Sequence, residues 1–217
     1  MSAELEERSL SEKVIRDIFC GVFASGTWLK QIELEGRYKV SRTTVRRALD
    51  ELTARRYVEH VPNRGYRVTQ GSWDRRSELR EIRRVLEVHA AKGILANAPE
   101  DAAAQLRVLA QKFEDSLENG SLQDQIAANG EFHEYLYGLS PNRTLFEELM
   151  EMRRRAVAMV TAPWSSLREM RSASRDHFAI VDALESRDLA RFEAAIDGHI
   201  RPGPDDTPDR GAAPTAS

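Results

Sequence analysis

The stretch Ser41-Arg42-Thr43-Thr44-Val45-Arg46-Arg47-Ala48-Leu49-Asp50-Glu51-Leu52 decides how the first third of this chain folds. Ser41 offers a side-chain oxygen to the unpaired N–H groups of a helix start. Val45, Leu49 and Leu52 then recur at the spacing of one buried helical stripe, which leaves Arg42, Thr43, Arg46 and Arg47 outside it. Upstream, Val14, Ile15, Ile18, Phe19 and Val22 also keep helical spacing, with a stop expected near Gly21 or Gly26. Between them a short helix is expected over 31–37, carrying Ile32 and Leu34 and closed by Gly36. Downstream, Tyr57-Val58-Glu59-His60-Val61 and Tyr66-Arg67-Val68-Thr69 read as two strands around the turn Pro62-Asn63-Arg64-Gly65.

Two helices, a Ser-capped helix with exposed Arg and Thr, and a hairpin with a basic tip follow the order of a winged helix-turn-helix. Charge agrees with that order. The whole chain carries a net charge of -3, yet Arg37 to Arg67 holds nine basic and three acidic residues. A basic island in an otherwise acidic chain points to a polyanion partner for the N-terminal part, here double-stranded DNA. An arginine at the start of a recognition helix bonds a guanine edge bidentately, and a threonine meets a phosphate or a thymine methyl. Asn63, Arg64 and Gly65 let backbone and guanidinium approach a phosphate or the minor groove.

Length and composition bound the rest. The 217 residues suit two small domains better than one, and 41% hydrophobic against 31% charged describes an ordinary globular chain. No apolar run approaches a membrane span and MSAELEERSL lacks the order of a signal peptide, so a cytoplasmic protein is expected. The lone Cys20 excludes an internal disulfide and a thiolate zinc cluster.

After a hinge at Gly71-Ser72 strand signals vanish, and amphipathic helices are expected over 74–97, 99–119, 122–139, 142–161, 165–185 and 188–201. Short connections at Ala98-Pro99, Asn119-Gly120, Ser140-Pro141-Asn142 and Ala162-Pro163 make them antiparallel neighbours in a bundle. The expected organisation is a DNA-binding domain over 1–72, an all-helical domain over 73–201 and a disordered tail over 202–217.

The helical half carries polar residues that its patterning does not explain. Ile126, Asn129, His133 and Leu136 would share one inner stripe; His177 joins Ile180, Val181 and Leu184, and His199 joins Phe192, Ala195 and Ile196. Each histidine taken singly reads as a hydrogen-bonded core residue. Together they can converge in a bundle core as ligands for zinc, nickel or a similar ion. Arg83, beside Leu79, Ile82 and Leu86, reads either as a carboxylate-binding fork or as an ion pair with Glu87.

Both halves resemble known families. Leu29, the run from Ser41 to Leu52 and Arg64-Gly65-Tyr66-Arg67-Val68 are similar to the DNA-binding domain of the GntR family of bacterial transcriptional regulators, over residues 8 to 70. The resemblance implies that Arg42, Thr43, Thr44 and Arg46 contact an operator, with Gly65 at the wing tip. Ser25-Gly26-Thr27-Trp28-Leu29 lacks the family's proline, and Ile32 stands where some members place a DNA-contacting arginine, for which Arg37 would compensate. Arg83 to Glu87, Asn129-x-x-Phe132-His133, Asn142, His177, Asp188 and His199 resemble the FCD effector-binding domain of FadR-type regulators. That likeness implies a divalent metal held by Asn129, His133, His177 and His199, with an organic acid bound nearby. Asn129 replaces the aspartate of many metal-binding members and brings no charge.

The leading expectation is a ligand-responsive regulator, a repressor acting as a homodimer. A constitutive DNA-binding protein with a metal-free helical domain is the alternative, and a small metalloenzyme the more distant one. For the last, His133-Glu134 begins like H-E-x-x-H, but Tyr137 stands where the second histidine is required.

Overall fold

The computed structural model describes residues 3–19, 21–70, 73–158 and 167–200. In order it contains α1 (Ala3–Phe19), β1 (Trp28–Leu29), α2 (Gln31–Tyr38), α3 (Arg42–Ala54), β2 (Val58–Val61) and β3 (Gly65–Val68). Then come α4 (Trp73–Asn97), α5 (Ala102–Asn119), α6 (Leu122–Gly138), α7 (Arg143–Ala158), α8 (Leu167–Glu185) and α9 (Leu189–Ile200). Gly71-Ser72, Cys20, Ala162-Pro163 and the expected tail lie outside the described residues.

The N-terminal elements close around one apolar core. Val14, Ile15 and Ile18 of α1, Leu34 of α2, Val45, Leu49 and Leu52 of α3, and Tyr57, Val58 and Val68 are all buried in it. Three sequence expectations are corrected here. Val22 does not extend the α1 stripe: the chain turns at Gly21, whose φ of 73 suits a residue without Cβ, and Val22 is exposed. Gly36 does not close α2, which runs on to Tyr38 and ends at Lys39 in the left-handed region. A glycine inside a helix costs only about 1 kcal/mol relative to alanine, and here the Tyr38 hydroxyl, 2.7 Å from Asp17 Oδ2, anchors the turn beyond it. The hairpin also gains a third strand, since β1 pairs antiparallel with β3, Trp28 opposite Arg67 and Leu29 opposite Tyr66. Two residues are too few for alternation to show in sequence.

The helical half has its own core, built from Ile94, Leu106, Phe132, Leu136, Tyr137, Leu149, Ile180, Val181, Phe192 and Ile196 among others. Helix α4 packs on α9 and α7, α5 on α6 and α8, and α8 on α9, which brings the inner faces of α6, α8 and α9 together. Side chains open several of these helices. Ser121 and Asp124 form a reciprocal capping box on α6, Asn142 Oδ1 accepts from Leu145 N–H at 3.0 Å on α7, and Asp188 accepts from Arg191 N–H at 3.1 Å on α9. Asn142 and Asp188 are thus helix caps.

Candidate functional site

At the N-terminal face, Ser41 Oγ accepts from Thr44 N–H at 3.2 Å and opens α3 in the geometry of a capped helix. The buried residues Val45, Ala48, Leu49 and Leu52 turn Arg42, Thr43, Arg46 and Arg47 outward, all four exposed. Thr44 is half-buried with its hydroxyl 2.9 Å from Ser41 Oγ, so it serves the cap. Arg37 donates from Nε to Asp17 Oδ2 at 2.9 Å and lies against the Phe23 ring, tied to α1. In the wing, Asn63 and Gly65 both take positive φ, 61 and 100, which folds the tip sharply and presents Arg64 to solvent. The Arg64 guanidinium lies 5.0 Å from the centre of the Trp28 ring, a cation–π placement that stiffens a long side chain. Between the wing and the starts of α2 and α3 runs a groove of about 690 Å³, lined by Trp28, Lys30, Gln31, Ile32, Arg42 and Arg64. Trp28 and Lys30 belong to this face although the sequence pattern did not single them out.

In the helical half, His133 Nε2 lies 3.2 Å from His177 Nε2 and 3.2 Å from His199 Nε2. All three potential ligand atoms fall within 4.8 Å of one another, on buried or nearly buried rings. Two nitrogens held about 2.0–2.1 Å from one ion, at angles between octahedral and tetrahedral, stand roughly 2.8–3.4 Å apart. The two 3.2 Å separations from His133 fall in that range. Asn129 Oδ1 is buried with no hydrogen-bond partner among the described residues, an acceptor left over one helical turn from His133. His199 Nδ1 faces Asp176 Oδ2 at 3.6 Å, beyond hydrogen-bond distance. Burial holds His133 and His177 well below the ordinary imidazole range, with Arg153 pushing His133 the same way and His199 pushing His177. Neutral imidazoles are the form that ligates.

Beside this cluster sits a buried carboxylate. Glu87 has no exposed surface and accepts from Arg83 Nε at 2.8 Å, from Arg153 Nη1 at 2.9 Å and from the Tyr137 hydroxyl at 2.5 Å. Tyr137 in turn stacks on His133, ring centres 6.0 Å apart. Burial alone would raise the Glu87 pKa, but the two guanidinium charges and the hydroxyl bring it down to about 2. The ion-pair reading of Arg83 is thus the observed one. Arg153 and Tyr137 were missed from sequence: no local signal in Arg153-Arg154-Arg155 says that Arg153 reaches a buried carboxylate 66 residues away.

Comparison with known proteins bears on both sites. The family model for bacterial regulatory proteins, gntR family, matches residues 7–68, and the FCD domain model matches residues 78–202. The chain belongs to the GntR family. Like its GntR relatives it is a DNA-binding transcriptional regulator, with an FCD domain. The HTH-type transcriptional regulator BphR of Paraburkholderia xenovorans is 30% identical over 89% of this chain and 83% of its own length. The Nta operon transcriptional regulator of Aminobacter aminovorans is 27% identical over 82% of this chain and 83% of its own length. The transcriptional repressor RspR of Escherichia coli is 24% identical over 86% of this chain and 82% of its own length. Among solved structures, E. coli McbR/YncC aligns with a TM-score of 0.76 at 20% identity, covering 92% of this chain and 94% of that one. A GntR regulator from Rhodococcus sp. RHA1 aligns with a TM-score of 0.76 at 22% identity, covering 89% and 93%. These structures share the fold of a GntR regulator, winged N-terminal half and helical C-terminal half.

Proposed function

We propose that this regulator is a repressor that binds a two-fold operator as a homodimer and senses a small organic acid at a metal centre. The observation that supports it most is the meeting of three Nε2 atoms from α6, α8 and α9 in one buried space. Asn129, His133, His177 and His199 would hold a divalent ion, zinc or nickel by ligand type. When bound, that ion supplies an attachment point for an anionic oxygen. The neighbouring charges favour an acid. Arg83 and Arg153 together outweigh Glu87 by one positive charge in a buried setting, which a ligand carboxylate would offset.

In this reading residues 1–72 bind DNA and 73–201 bind the effector. Arg42, Thr43, Arg46 and Arg47 enter the major groove while Arg64 and Gly65 meet the backbone or minor groove; Thr44 and Arg37 support that surface from behind. Two copies read two half-sites, because one small module contacts few base pairs. Repression accords with the name of the RspR relative. Action on DNA accords with a cytoplasmic protein.

Metal content of the purified protein, made without a histidine tag, tests the reading against a variant carrying His133→Ala, His177→Ala and His199→Ala. The parent should hold about one ion per chain and the variant none. An empty parent after incubation with zinc, nickel and manganese would remove the metal centre and leave a DNA-binding protein with histidines in its core.

A further inference from the structure

One arginine reaches across from the N-terminal half to the helical half. Arg55 follows α3 directly, at its C-cap, and its guanidinium joins three elements. It donates from Nη1 to Glu12 of α1 at 3.1 Å and to Glu51 of α3 at 3.3 Å. On its other edge Nε and Nη2 reach the two oxygens of Glu151 on α7 at 3.4 and 3.3 Å, a forked contact across 96 residues of sequence. Arg55 also lies 5.3 Å from the centre of the buried Tyr57 ring, and Arg154, paired to the same Glu151 at 3.0 Å, interacts with Tyr57. Arg55 and Glu151 are both about three-quarters shielded from solvent.

A forked arginine–carboxylate pair fixes direction as well as distance. It therefore defines an angle between the recognition helix and α7. Helix α7 is itself held inside the bundle: Arg153, two residues after Glu151, reaches the buried Glu87. A helix is stiff over so short a span, so the head is referenced to the bundle core and not to a loose surface.

We propose that Arg55 and Glu151 are positioning residues for operator recognition: their fork sets the orientation of α3 on α7, and with it the half-site spacing that two copies accept. This rests on the reading above that two copies share one operator. Without the fork each head would have more freedom to swing on its bundle and would tolerate several spacings. Held, the two recognition helices are offered at one separation, and DNA of the wrong spacing must bend or twist to fit.

The test starts from a DNA site selected by the wild-type protein from a randomised duplex pool. Affinity is measured for that site and for the same site with one base pair inserted between its halves, using wild type, Glu151→Gln, Arg55→Gln and Glu151→Asp. Insertion should weaken the wild type about tenfold or more, the scale of losing good contacts at one half-site. Both glutamine variants should lose most of that penalty while binding unrelated DNA as the wild type does, and Glu151→Asp should regain part of it. Glutamine variants that melt like the wild type and keep its full spacing penalty would overturn the positioning role. A wild type that selects no two-fold site would overturn the two-copy reading, and the positioning role with it.

Discussion

Glu87 is the residue on which the interior of the helical half turns. Its carboxylate is fully buried between Arg83, Arg153 and Tyr137, and its pKa lies near 2 against an ordinary 4.5. Replacing it by glutamine leaves two guanidinium groups facing a neutral amide, a loss of about 3–5 kcal/mol for breaking a buried ion cluster. Chemical denaturation at pH 7 should show that loss. Because the folded-state pKa is depressed, the stabilisation is full above about pH 4.5 and disappears as the pH falls toward 2. The gap between wild type and Glu87→Gln should therefore narrow from pH 4.5 downward; a constant gap would mean the carboxylate charge is not what holds the cluster. From sequence, Arg83 and Glu87 were visible as a one-turn pair, whereas Tyr137 and Arg153 lie 50 and 66 residues from Glu87.

Helix α3 is the element most completely readable beforehand. Its cap, buried stripe and outward arginines all follow from a repeat of about 3.6 residues, and the structure keeps each. Ser41→Ala should cost about 1 kcal/mol, the usual worth of such a cap. The helix would fray in the first turn proposed to meet DNA, so specific binding should fall while far-UV helicity changes little. Undiminished operator affinity in Ser41→Ala would show that DNA itself orders that turn. The strand β1 was not legible, because it exists only through pairing with β3. The end of α2 was misjudged for a related reason: its last turn is fastened by Asp17 of α1, a tertiary partner that no local propensity reports.

At the scale of the whole molecule, the histidine cluster belongs to the helical core and the DNA-reading face to the N-terminal core. Metal should therefore act first on the helical half. At a free metal concentration a hundredfold above Kd, binding to the folded form alone adds about 2.7 kcal/mol. Calorimetry of metal-loaded protein with and without a chelator should show the corresponding fall in Tm. The triple histidine variant should show no such difference, and an equal chelator effect in both proteins would assign the metal elsewhere.

The sequence by itself determined the order of the helices and of the wing hairpin, the outward faces of α3 and the placing of His133, His177 and His199 on inner helical stripes, since these depend on residues within one or two turns of each other. Only the tertiary structure decided that the three imidazoles meet, that Arg153 turns inward to Glu87 and that Arg55 grips Glu151. Those contacts join residues 44 to 96 positions apart. Their geometry depends on how helices pack, and packing is set by the fit of whole faces rather than by any local run of residues.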